Sequence, residues 1–252
     1  MLFRSFIPDK HKADYLVPEQ LPDSLIKAIH SFILSCAARL YRNQSEQHSS
    51  MLIHVTRYVK VQSQVFRLVD GYLIDLRSKI LAGDIEIFDI LRNLWEDDFM
   101  VVSADMEISG HGQVHTFDHI RGFLEEVLNE LGTPLQINGE AGDVLEYEAA
   151  TRAGRRLTVV AIGGDKLSRG LTLEGLTVSY YLRSTRMYDT LLQMGRWFGY
   201  KDGFQDLCRI FTTKQLSRWY SHIASVNIEL EETFNSMIFK QNVFINIEPI
   251  YF

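Results

Sequence analysis

Apolar positions recur along the chain with two periods. From Pro22-Asp23 to about Arg42, Leu25, Ile26, Ile29, Phe32, Ile33 and Leu40 fall on one stripe, the spacing of an amphipathic helix. The polar stretch from Arg42 to Ser50 reads as a linker. Met51-Leu-Ile-His-Val-Thr56 is a short apolar strand, and a long amphipathic helix follows to about Leu81. Gly83-Asp84 breaks it, Ile85–Phe99 reads as another helix, and Ser109–His119 is a loop containing glycine and histidine. Phe123–Leu131 is helical and Leu135–Asn138 is a strand. Leu157–Ile162 and Leu176–Leu182 are unbroken apolar runs, as strands buried on both faces require. Arg186–Arg196 reads as a helix, Leu207–Phe211 as a strand, and Lys214 to about Phe239 as a closing helix. Strands alternating with helices predict an α/β fold, a parallel sheet with helices on both faces.

The 252 residues suffice for one large domain, with or without helical additions. Hydrophobic residues make up 46% and charged residues 23%, a balance expected of a soluble globular chain. Cys36 and Cys208 are far apart and form no metal-type pair, which argues against a disulfide framework. No apolar run reaches the ~18 residues of a membrane span, and the first ten residues lack a secretory leader. A cytoplasmic protein without membrane contact is the expectation. The net charge of −6 conceals an asymmetry. Between Arg152 and Arg218, 12 Lys/Arg face 5 Asp/Glu, while the remainder holds 14 against 27. A basic segment on an acidic body is a phosphate-binding signal.

The chemistry concentrates in that segment. The strand ending at Ile162 runs into Gly163-Gly164, then Asp165-Lys166-Leu167-Ser168-Arg169-Gly170. Loops at the carboxyl ends of parallel strands are where open α/β sheets bind ligands. Gly163, Gly164 and Gly170 admit tight turns and close backbone approach, and lysine and arginine grip phosphate.

Three strings carry a resemblance to a known family. They are His-Ser-Ser-Met-Leu-Ile-His-Val-Thr-Arg-Tyr (48–58), Ile-Gly-Gly-Asp-Lys-Leu-Ser-Arg-Gly-Leu-Thr-Leu-Glu-Gly-Leu (162–176) and Gln-Met-Gly-Arg-Trp-Phe-Gly-Tyr (193–200), continued by Asp-Leu-Cys-Arg-Ile (206–210). Over about four-fifths of its length the chain resembles the second RecA-like domain of superfamily-two helicases, and more closely the Z-one type of endonuclease-associated domain built on that core. The resemblance implies a three-layer RecA-like parallel sheet of the P-loop NTPase type with helical N- and C-terminal extensions. It divides the chain into a connecting segment and helix (1–45), a helicase C-terminal-like domain (46–215) and a C-terminal helix and tail (216–252). It also implies ATP and magnesium as cofactors, bound only together with a first RecA-like domain or subunit that carries the phosphate loop, and DNA as partner.

Residue by residue, the resemblance assigns nucleotide contact to Gly163, Gly164, Asp165, Ser168, Arg169, Gly170 and Thr172. It puts Gln193 and Arg196 on the motif whose arginines reach the γ-phosphate. Thr56, Arg57, Lys166 and Arg183 are the expected nucleic-acid contacts. One departure concerns the second arginine of that motif, three residues after the first; here the position is Gly199, and the next cation is Lys201. Lysine does not reproduce a bidentate arginine contact, so Arg196 is the expected finger and Lys201 the alternative.

Absences narrow the reading further. No Gly-x-x-x-x-Gly-Lys-Ser/Thr occurs, so the chain alone is not expected to hydrolyse ATP. Trp95-Glu-Asp-Asp98 resembles a magnesium-binding acidic box but follows no strand and reads as a helix end. No Asp-x-Lys or Glu-x-Lys supports a restriction-type nuclease centre. His111, His115 and His119 with Asp118 sit in a glycine-broken loop and read as solvated side chains, so no metal site is expected. The function that follows is the C-terminal motor domain of a helicase or translocase in a restriction or phage-defence system. The alternative is a non-catalytic nucleic-acid-binding or scaffold domain that retains the fold.

Overall fold

The computed structural model describes residues 6–8, 10–137, 147–164, 173–182 and 203–241, with backbone alone for 227, 228 and 230–241. The chain divides into two compact units, Met1–Thr212 and Thr213–Phe252. In the first, the order is α1 (Asp23–Tyr41), β1 (Ser49–His54), α2 (Val59–Leu81), α3 (Ile85–Leu94), a π-helical turn (Trp95–Phe99), α4 (Met100–Glu107), α5 (Phe117–Arg121), α6 (Leu124–Glu130), β2 (Leu135–Ile137), α7 (Tyr147–Arg152), β3 (Thr158–Gly163), β4 (Leu176–Tyr181), a 3-10 turn (Gln205–Leu207) and β5 (Arg209–Thr212). The second unit carries α8 (Lys214–Gln241), whose first turn is closed by the Thr213 hydroxyl accepting from the Leu216 N–H at 3.2 Å.

All five strands pair in parallel, in the order β2-β3-β1-β4-β5. β1 is the centre: Ile53 stands opposite Ile162 of β3 on one side and Tyr180 of β4 on the other. Every residue of β4 is buried, as its unbroken apolar run required, and every residue of β1 is buried as well. From β1 the chain crosses toward the β2 edge, and from β4 it steps toward the β5 edge. That divergence is a topological switch point, and the crevice it opens lies beyond the carboxyl ends of β1 and β4.

Helices cover the sheet through the stripes their spacing predicted. α1 packs on β4 and β5, α2 packs on β3 and β2, and α6 lies against both helices. Leu25, Ile29, Phe32 and Ile33 of α1 are fully buried, each worth roughly 1.5–3 kcal/mol against exposure. Asp84 caps α3 by accepting from the N–H of Glu86 (2.9 Å) and Ile87 (3.3 Å), so Gly83-Asp84 both ends one helix and starts the next.

Two local expectations are corrected. The stretch from Arg42 to Ser50 is no plain linker: it ends in the first residues of β1, and buried Arg39 stitches it down. The Arg39 guanidinium donates to Gln44 Oε1 (2.9 Å), Gln47 Oε1 (2.9 Å), the His48 carbonyl (2.7 Å) and Ser49 Oγ (2.8 Å). Trp95–Phe99 does not end a helix either. It is a π turn through which the helix continues to Glu107, because Trp95 and Phe99 both bury and stack with centroids 5.1 Å apart. Asp98 is then turned to Arg209 Nε at 2.9 Å, an ion pair within the body.

Candidate functional site

The crevice at the switch point is built from the residues that end β1. Thr56 is buried, and its hydroxyl accepts from the Tyr58 N–H at 3.1 Å, which turns the chain into α2. Arg57, by contrast, is exposed; its guanidinium donates to the Tyr58 hydroxyl at 2.9 Å and lies 5.0 Å from the centre of that ring. One turn into α2, buried Gln62 donates from Nε2 to the Thr56 carbonyl at 3.0 Å.

β3, which flanks β1 on the side away from β4, brings its glycines against the β1 tip from that side. Gly163 ends the strand and Gly164 follows it. A Cβ on Gly164 would lie 2.7 Å from Gln62 Nε2, 3.3 Å from the Thr56 carbonyl oxygen and 3.4 Å from the Arg57 Cα. Glycine there lets the two strand tips approach closely without displacing the Gln62 amide; its φ lies outside the left-handed range, so close approach and not backbone conformation favours it. Thr56-Arg57 and Gly163-Gly164, 107 residues apart, are brought into contact. Asp165, Lys166, Ser168, Arg169, Gly170, Thr172, Arg183, Gln193, Arg196 and Lys201 lie outside the described residues.

A cleft of about 410 Å³ opens over the β1 tip, between Val55–Tyr58, Leu182 and the N-terminal residues Ile7, Pro8 and Lys10–Lys12. Sequence reasoning had passed over that segment. His11 places it: Nδ1 lies 2.7 Å from the Pro8 carbonyl and Nε2 lies 2.6 Å from Thr56 Oγ1. A carbonyl can only accept, so Nδ1 bears the proton and, in the neutral ring, Nε2 accepts from the Thr56 hydroxyl. Edge contacts to Tyr15 and Tyr58, at 5.8 and 5.4 Å, hold the ring. Lys10 and Lys12 flank His11 and are exposed. The cleft is therefore cationic, and α2 starts at its floor with no acidic residue in its first turn. A helix N-terminus and guanidinium and ammonium groups all favour an anion.

The other features the sequence singled out are used structurally. His115 accepts from Arg42 Nε at 3.2 Å, and its carbonyl accepts from Trp95 Nε1 at 2.8 Å; His119 stacks on Tyr41 at 5.2 Å. Among the described residues there is no cluster that could hold a metal ion. Arg42 donates at 2.7 and 2.6 Å to the two carboxylate oxygens of Asp206, and Ser103 Oγ donates to the same group at 2.6 Å. Burial alone would raise the Asp206 carboxyl; the hydrogen bonds from Arg42 and Ser103, the Arg42 charge and the Gln113 N–H outweigh it and hold the group below its ordinary value. Cys36 and Cys208 are both free thiols, and burial pushes Cys36 up to about 12, so it is inert.

A larger cleft, about 770 Å³, lies among α1, α2, α3 and α4. Its acidic groups are partly committed: Asp84 caps α3 and Asp98 pairs with Arg209. Its histidine, His30, bonds to the Tyr72 hydroxyl at 2.6 Å, and burial pulls it down to about 4. It is unsuited to phosphate.

A model of the Z1 domain matches residues 24–247. No curated protein and no solved structure matches the chain.

Proposed function

The chain belongs to the Z1 domain family, and on that footing we propose that it is the nucleic-acid-gripping second half of an ATP-driven DNA motor. In this reading it is a RecA-like domain of the superfamily-two kind, working in a restriction or phage-defence system. One observation carries the proposal: Thr56-Arg57 ends β1 at the switch point of a parallel sheet, with Gly164 packed against it from the β3 side and a cationic cleft beside it. Backbone phosphates of DNA would cross these tips, with Arg57 neutralising charge. Lys166 and Arg183, which follow β3 and β4 in sequence, would extend the same track.

ATP with magnesium, held chiefly by a first RecA-like domain carrying the phosphate loop, would supply the free energy for movement. To that site this chain would bring Arg196, with Gln193 beside it in sequence and Lys201 as a second cation, and the turn from Gly163 to Thr172. A planar guanidinium presented to a terminal phosphate stabilises charge that develops during transfer. The sequence holds no phosphate-loop motif, so by itself the chain would turn over no ATP.

The alternative, a DNA-binding scaffold without motor function, is favoured by Gly199 standing where the second arginine of the helicase motif belongs. Both readings share the DNA contacts, so these are tested first. Fluorescence anisotropy of a labelled 20-nucleotide single strand, from 50 to 200 mM NaCl, should show affinity falling steeply with salt. Arg57→Ala should reduce the log–log slope by about 0.7, the share of one phosphate contact on a single strand. Binding that ignores salt, or no binding at all, overturns the proposal.

A further inference from the structure

We propose that the N-terminal segment Ile7–Lys12 is itself a nucleic-acid-binding element, supplying Lys10 and Lys12 as the second wall of a phosphodiester clamp whose first wall is Arg57. This rests on the strand-tip reading above, yet it assigns contacts to residues that lie outside the three motif strings and precede the family match.

Three observations support it. The segment is docked: Phe6 is fully buried and Ile7 nearly so, the Tyr15 hydroxyl donates to the Phe6 carbonyl at 3.1 Å, and His11 reaches Thr56 at 2.6 Å. Further along, Gln64 of α2 ties Tyr15 and Val17 by donating to the Tyr15 carbonyl (2.9 Å) and accepting from the Val17 N–H (3.0 Å). Second, with its backbone so anchored, the segment spends neither lysine on its own docking; both are exposed and line the cleft with Arg57. Among the described residues that line this cleft, the aspartate, glutamate, lysine and arginine side chains are Lys10, Lys12 and Arg57, all cationic. Third, the floor is the N-terminus of the 23-residue α2, whose Tyr58 N-cap supplies no side-chain cap and whose first turn has no acid. Cations on two walls with a helix N-terminus between them suit a chain of phosphates passing through, because each wall neutralises backbone charge without reading a base.

The test uses the full chain, the labelled 20-nucleotide single strand and the same salt series. Lys10→Ala/Lys12→Ala should bind about ten-fold more weakly at 100 mM NaCl and lose about 1.4 from the log–log slope, two contacts at 0.7 each. Lys10→Arg/Lys12→Arg should restore both, which separates charge from any change in docking. A wild-type slope in the alanine variant, with Arg57→Ala still impaired, overturns the clamp and leaves the strand-tip reading standing. If wild-type protein itself fails to bind, the strand-tip reading falls and the clamp with it. Failure of the arginine variant to rescue a weakened alanine variant also overturns the clamp.

Discussion

Replacing Gly164 with alanine probes the joint between the two strand tips. The new methyl would stand 2.7 Å from Gln62 Nε2, well inside van der Waals contact, and at 3.3–3.4 Å from the Thr56 carbonyl oxygen and Arg57 Cα. The backbone atoms are held by the β1–α2 turn, so the amide of Gln62 must move. It then gives up the 3.0 Å bond to the Thr56 carbonyl inside a buried site. Losing a bond to a buried acceptor costs about 1–3 kcal/mol. For a chain of this size that lowers Tm by about 2–12 °C. Thermal unfolding followed by circular dichroism reads the effect, and a double-mutant cycle assigns it. In a Gln62→Ala background the added methyl meets no amide, so its cost should fall by at least half. Strict additivity, or an unchanged Tm in the single variant, would refute the argument that Gly164 is there for close approach.

Other consequences follow from the same geometry. Asp206→Asn leaves the Arg42 guanidinium buried without its carboxylate and should cost about 3–5 kcal/mol, or roughly 6–20 °C in Tm. Because the folded carboxyl lies below its ordinary value, its contribution is complete above about pH 3.9 and is lost as pH falls through the folded value. Wild-type Tm should therefore drop on acidification below about pH 4, and the asparagine variant should lack that component. Removing the α3 cap with Asp84→Ala should cost about 1 kcal/mol, measured by urea unfolding, with no effect on DNA binding. Arg196→Ala should abolish DNA-stimulated ATP turnover by the chain assembled with a phosphate-loop domain, with an unchanged circular dichroism spectrum. Retained turnover would favour Lys201 as the finger or the scaffold reading.

What the sequence made legible was whatever has a period or a long apolar run. The α1 stripe predicted the burial of Ile29, Phe32 and Ile33, and the unbroken runs predicted β3 and β4 as interior strands. What it hid depends on partners far along the chain. His48 looks like a loop residue, yet it is buried because Leu157 N–H donates to its Nδ1 at 2.9 Å and its Nε2 bonds to Thr151 Oγ1 at 2.9 Å. The short α7 has no apolar period of its own; it is fastened by the Tyr147 hydroxyl bonding to Ser50 Oγ at 2.6 Å. Trp95–Asp98 reads as a helix end because no strand precedes its acids, and the Asp98–Arg209 and Glu96–Arg92 pairs show where two of them go. At the site, Gly163-Gly164 and Thr56-Arg57 were each visible as strand tips, but their contact was not. Lys10 and Lys12 gave no signal, since the 2.6 Å bond from His11 to Thr56 spans 45 residues.

The central claim is that a nucleic-acid backbone crosses the carboxyl ends of β1 and β3. Hydrogen–deuterium exchange of the full chain, with and without a saturating 20-nucleotide single strand at 50 mM NaCl, tests it most directly. The account predicts added protection in peptides covering residues 7–12, 55–62 and 162–164. It predicts no change in 84–94 or 111–121, which belong to the helical cleft and the Arg42–Asp206 network. Protection confined to those last two regions, with the strand tips unaltered, would contradict it.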